Sequence, residues 1–266
     1  AVGALALDAN TTGDFNTAVG ENALGANSTA DSNTAIGARA LMTNTTGNQH
    51  TAVGAYALDA NTTGVESTAI GHNSLSANTT GDRNTALGES ALEVNTTGSY
   101  NTALGGRSLD ANTTADYNTA VGYAALSQCT TGTSNTAVGL NAAYGVTTGD
   151  YNTVVGYECL NAGDNDKQVA IGYQALRNQS GTTTGAVAIG YRCLYTSNGG
   201  SGYSYNTAVG TEAMYSATSA RANSALGDSA LYSVTNGERN TGVGQGAGAF
   251  INTGDDNLML GYNSGK

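Results

Sequence analysis

Asn16-Thr17-Ala18-Val19-Gly20 decides the fold, because the chain writes it again and again. Asn33-Thr34-Ala35-Ile36-Gly37, Asn84-Thr85-Ala86-Leu87-Gly88 and Asn101-Thr102-Ala103-Leu104-Gly105 are the same phrase. Its closing glycine returns every 17 residues from Gly3 to Gly156, slips at Gly172, Gly190 and Gly210, and recovers at Gly227, Gly244 and Gly261. Self-similarity at such a period marks stacked units, each burying its apolar side only against its neighbours. The consensus Asn-Thr-Ala-Val-Gly-x-x-Ala-Leu-x-Ala-Asn-Thr-Thr-Gly-Asp-x combines β-branched and small residues with two glycines, and has no 3.6-residue or heptad period. It predicts an all-β parallel β-solenoid (a β-roll) of about 16 coils. One short strand is expected at Thr-Ala-Val and a second at Ala-Leu, as in Ala23-Leu24, with Gly20 at a corner. Asn, Thr and Gly are too frequent for helix.

Composition agrees with an elongated repeat body. The chain has 266 residues with 38 Gly, no Pro, no Trp, two Phe and 11% charged residues. We expect one repeat-built solenoid over 1–266, a piece of a longer fibre, with irregular loop-bearing rungs at 157–206. A net charge of -11, with Lys167 and Lys266 the only lysines, argues against nucleic acid, whose phosphates need clustered cations, and against anionic membrane surfaces. No apolar run reaches the ~18–20 residues of a membrane span. Cys159 and Cys193 share one repeat position two rungs apart, roughly 10 Å at the usual strand spacing, too far for a disulfide. Cys129 replaces a repeat Asn. All three read as small buried thiols.

Two Asn ranks recur: Asn16, Asn33, Asn84, Asn101, Asn118, Asn135 and Asn152 open the phrase, and Asn10, Asn27, Asn44, Asn61, Asn78, Asn95 and Asn112 precede the Thr pair. Stacked coils would set these amides one above another, where they bond rung to rung. The second rank also spells a glycosylation acceptor, which close stacking would crowd. The Asp rank (Asp14, Asp31, Asp82, Asp116, Asp150) reads as a charged rim.

The strand itself points to partners. Neighbouring strand residues face opposite sides. The Val19 position is always Val, Ile or Leu, and its neighbour is nearly always Ala: Ala18, Ala35, Ala52, Ala69, Ala86, Ala103, Ala120 and Ala137. Taking the aliphatic rank as the coil's core leaves the Ala rank outside, where solvent would not enforce Ala and a second chain would. A lone coil also has little core to offset its chain entropy. A parallel homotrimer joined through those alanines is expected.

Phrases such as Asn118-Thr119-Ala120-Val121-Gly122-Tyr123-Ala124-Ala125-Leu126 and Asn152-Thr153-Val154-Val155-Gly156-Tyr157 resemble the 17-residue repeats of phage tail-fibre-like and bacterial surface proteins. They are also similar to the shorter Asn-Ser-Val-Ala-Ile-Gly repeats of YadA-like heads in trimeric autotransporter adhesins. The resemblance spans essentially the whole chain. It implies a left-handed roll, a trimer, and an extracellular place on a virion tail fibre or bacterial cell surface.

Few residues suggest chemistry. The two histidines are His50, which replaces a rank Asn, and His72, at a variable position. No nucleophile set, metal cluster or phosphate loop assembles, so no catalytic residue, metal or cofactor is assigned. Glu158, Asp164 and Asp166 lie close in sequence where the repeat is irregular. Paired carboxylates of a polysaccharide-cleaving fibre, or calcium at Gly163-Asp164-Asn165-Asp166, are alternatives to solvated acidic turns. Insertions at Gly181–Gly185 and Ser197–Gly202 coincide with Tyr157, Tyr173, Tyr191, Tyr195, Tyr203 and Tyr205. These tyrosines are candidates to anchor a cell-surface glycan or protein receptor, set against a stacked rank that covers the coil or packs at a chain–chain contact. Ranks of Thr raise ice binding, which needs Thr facing outward; sharing a strand face with core Val argues against it. The expected function is a non-enzymatic extracellular fibre or adhesin segment, a rigid trimeric shaft or head for attachment to a host cell or surface. A monomeric solenoid with an ice- or glycan-binding face is the alternative.

Overall fold

The structure, a computed structural model, describes residues 1–179, 183–196 and 202–265. The chain forms two compact units, Ala1–Thr133 and Ser134–Lys266, both built as a parallel β-solenoid. The N-terminal unit carries seven three-residue strands: β1 (Thr17–Val19), β2 (Thr34–Ile36), β3 (Thr51–Val53), β4 (Thr68–Ile70), β5 (Thr85–Leu87), β6 (Thr102–Leu104) and β7 (Thr119–Val121). The C-terminal unit carries β8 (Thr136–Val138), β9 (Thr153–Val155), β10 (Val169–Ile171), β12 (Val187–Ile189), β14 (Thr207–Val209), β15 (Ser224–Leu226), β16 (Thr241–Val243) and β17 (Leu258–Leu260), plus β11 (Thr183–Thr184) and β13 (Gly202–Tyr203). Pairing is parallel and like on like, as in Thr17↔Thr34, Ala18↔Ala35 and Val19↔Ile36.

The expected insertions leave this stack undisturbed. Ala170 pairs Ala188 and Ala188 pairs Ala208, in the same register as everywhere else. At the described edges of the insertions, β11 and β13 pair with each other in parallel. Residues 181–182 and 197–201 of the two insertions lie outside the described residues.

The strand faces are exchanged relative to expectation. The Ala rank (Ala18, Ala35, Ala52, Ala69, Ala86, Ala103, Ala120, Ala137) points into the coil's own interior and is at most 1% exposed. The aliphatic rank points outward. These alanines are therefore covered by their own chain and offer nothing to a partner. The physical reason is a narrow interior: a Cβ built at Gly242, which occupies this rank, would come within 2.9 Å of the Leu231 side chain. The interior thus favours small side chains on this rank, with Val154 also accommodated there fully buried.

The opposite wall is not the second strand that Ala-Leu predicts. Every second residue there has positive φ, as at Asn22 (55°) and Leu24 (52°). The amides then point alternately to the two neighbouring coils: Asn22 N–H donates back to Ala4 (2.9 Å), and Leu24 N–H forward to Ala40 (3.0 Å). A left-handed Leu costs about 1–2 kcal/mol. Full burial of its side chain, seen at Leu24, Leu41, Leu58, Leu75, Leu92, Leu109 and Leu126, returns about 2 kcal/mol.

Candidate interaction face and its supports

Side chains of each coil complete the hydrogen bonding of the next. In the N-terminal unit, the Asn carboxamides form an unbroken ladder in which Nδ2 of Asn27, Asn44, Asn61, Asn78, Asn95 and Asn112 donates to Oδ1 of the Asn one coil before. The same nitrogens donate to the carbonyl three residues on. All six are fully buried, so their glycosylation-acceptor sequence is closed in the folded coil. The ladder stops at Cys129, whose thiol donates to the Gly132 carbonyl instead, and the buried Oδ1 of Asn112 is left without a partner. Cys129→Asn should therefore add one rung. We expect a gain of about 1 kcal/mol, read as a thermal midpoint ~2–4 °C higher by circular dichroism.

The other ranks act through the backbone. Oδ1 of Asn84 accepts the amide of Asn101, and Oδ1 of Asn101 that of Asn118. The Asp rank is more than a rim: Oδ1 of Asp31, Asp82 and Asp116 accepts the amide of the equivalent residue one coil earlier, in Asp14, Val65 and Ser99. The acidic turn of the irregular coils does the same. Asp164 Oδ1 accepts from the Thr147 amide, the Thr147 hydroxyl and the Thr148 amide, and Asp166 Oδ1 from the Asp150 amide. Glu158 is bound elsewhere, to Gln174 (2.9 Å) and Arg177 (2.8 Å). The Gln174 and Arg177 bonds hold its carboxyl below the usual range despite partial desolvation. Each of these carboxylates thus serves the stack. Among the described residues no group of three or more His, Cys, Asp or Glu is placed to hold a metal ion.

Four of the six candidate tyrosines fall in two stacked ranks. Tyr157, Tyr173 and Tyr191 stack at 5.3 Å with interplanar angles of 6° and 9°. Tyr195 belongs to a second rank with Tyr215 and Tyr232, at 5.1 and 5.2 Å, which position in the repeat would have revealed. Arg192 sits over both Tyr191 and Tyr195. Tyr205 packs against Gly185, and the Tyr203 side chain lies outside the described residues. Within each rank the middle ring, Tyr173 or Tyr215, is covered on both faces by its neighbours, so its edge and hydroxyl are what it presents. A sugar that stacks on an aromatic needs a ring face. Burial pushes the Cys159 and Cys193 thiols up to about 12, where a thiolate is scarce.

The outer face of the sheet is open to a partner. In β1–β7 every outward position is Thr, Val, Ile or Leu. The aliphatic members stand well out of the coil: Val19 is 39%, Ile36 41%, Leu87 41% and Leu104 42% exposed. The C-terminal unit repeats the pattern, with Val169, Val187, Ser224 and Leu258 where the others have Thr, and again no charge on either rank. Sequence reasoning named the strand and chose the wrong side of it. No family model matches the chain, and no curated protein or solved structure matches it.

Proposed function

We propose that this chain is a stiff segment of an extracellular fibre or adhesin, whose copies pack in a parallel homotrimer through the outer face of the sheet. One observation carries the reading. A chain of net charge -11 keeps two adjacent exposed ranks free of charge through both units. Scattered exposed aliphatics are ordinary, whereas a contiguous patch of them marks a contact surface. At on the order of 100 Å² per coil, seven coils approach the ~800 Å² per partner of a stable association. The likeness of the repeat to phage fibre-like and YadA-like adhesin repeats supports the extracellular, attachment-related setting. The side-chain ladders supply the stiffness.

Light scattering tests it. Three chains of 26.5 kDa give about 80 kDa, and Leu87→Glu with Leu104→Glu should reduce that to a folded monomer. A wild-type monomer would overturn the reading. It would favour a second one, supported by the same face: outward Thr in strict register beside Val is the flat array that an ice-binding surface requires. Thermal hysteresis of the wild-type chain separates the two.

A further inference from the structure

His50 and Ser67 are consecutive members of the rank otherwise held by Asn16, Asn33, Asn84, Asn101 and Asn118 in the N-terminal unit. His50 is 1% exposed and fixed in one tautomer by its neighbours. Its Nδ1 accepts the Ser67 amide at 3.1 Å, and its Nε2–H donates to the Gly64 carbonyl at 2.6 Å. The His50 amide in turn donates to Asn33 Oδ1 at 2.9 Å. The next rung is loose: the Asn84 amide reaches Ser67 Oγ at 3.2 Å, against 2.9 Å where Asn accepts. Asn cannot take up a proton near neutral pH; imidazole can.

We propose that the rungs joined by His50 and Ser67 form an acid-sensitive seam, in which a proton arriving at Nδ1 displaces the Ser67 amide and the coil opens locally there. Two N–H groups cannot share one line, so the protonated ring is incompatible with the closed rung. Burial holds the imidazole below its ordinary 6.5, outweighing the hydrogen bond to the Gly64 carbonyl and the Asp82 carboxylate, both of which favour the charged form. The other charges nearby are the Glu66–Arg83 ion pair, 2.9 Å on the outer rank, and Asp31 in the coil before. Because the folded value is depressed, closure is fully favoured above 6.5. It weakens as pH falls from there toward the folded value, and is flat with respect to this group below it.

Hydrogen exchange of the whole chain at pH 7.5, 6.5 and 5.5, corrected for intrinsic rates, tests the seam. Peptides spanning 50–67 should show an opening constant rising by up to roughly tenfold per pH unit below 6.5. His50→Asn, which restores the repeat residue, should abolish that rise, while His72→Asn should leave it. An unchanged rise in His50→Asn would overturn the proposal. So would a nuclear magnetic resonance titration showing His50 protonated above 6.5 with the Ser67 amide still protected.

Discussion

Ala103→Glu is expected to destroy the coil around β6, and Leu104→Glu to leave it folded. The two residues are neighbours on one strand. Ala103 is fully buried and Leu104 is 42% exposed. The Ala rank accommodates little beyond a methyl: its exceptions are Val154, Gly242 and Met259, the last in the final described coil. A carboxylate there has neither room nor a cation, and a buried unpaired charge costs more than the few kcal/mol a small domain holds in reserve. We expect Ala103→Glu to lose more than about 4 kcal/mol and to be insoluble or unfolded by circular dichroism. Leu104→Glu should stay within about 1 kcal/mol of wild type as an isolated coil, and its effect should appear in the mass by light scattering. Leu104→Glu unfolding while Ala103→Glu folds would reverse the assignment of the two faces.

The second large effect is at the repeat glycine. Gly71 has φ of +137°, and a Cβ there would sit 2.4 Å from the Gly88 carbonyl oxygen. The glycines stack directly on one another, each approaching the next too closely for any side chain. Gly71→Ala therefore meets two obstacles at once: a backbone region essentially reserved for glycine, and a clash with backbone that cannot rotate away. We expect a loss of at least ~3 kcal/mol. In a stack whose rungs touch only their neighbours, damage stays local. Hydrogen exchange should lose protection first in the strands β4 and β5 that flank the substitution. Uniform protection equal to wild type would show that the corner relaxes.

These two substitutions also mark how far the sequence could be read. The 17-residue beat and the Asn ranks were legible because stacking places like on like, and both follow from register alone. The side of the strand was not. Alternation gives two apolar ranks, Ala18-type and Val19-type, and does not say which is inside. Only the depth of the interior decides, and that depth depends on the left-handed Leu wall, which a run such as Ala23-Leu24 does not announce. The Tyr195, Tyr215 and Tyr232 rank was legible too, each lying five residues after its repeat glycine (Gly190, Gly210, Gly227), but grouping Tyr195 with the insertion residues concealed it. The backbone-capping work of Asp31 and Asp164 was equally invisible, since a charged rim and an amide acceptor are the same residue in sequence.

Register is held on both sides of the longest insertions: Ala170, Ala188 and Ala208 pair as if the intervening segments had equal length. Size at that turn is thereby uncoupled from order in the stack. Foreign peptides grafted between β12 and β14 should leave the pairing of those two strands in register.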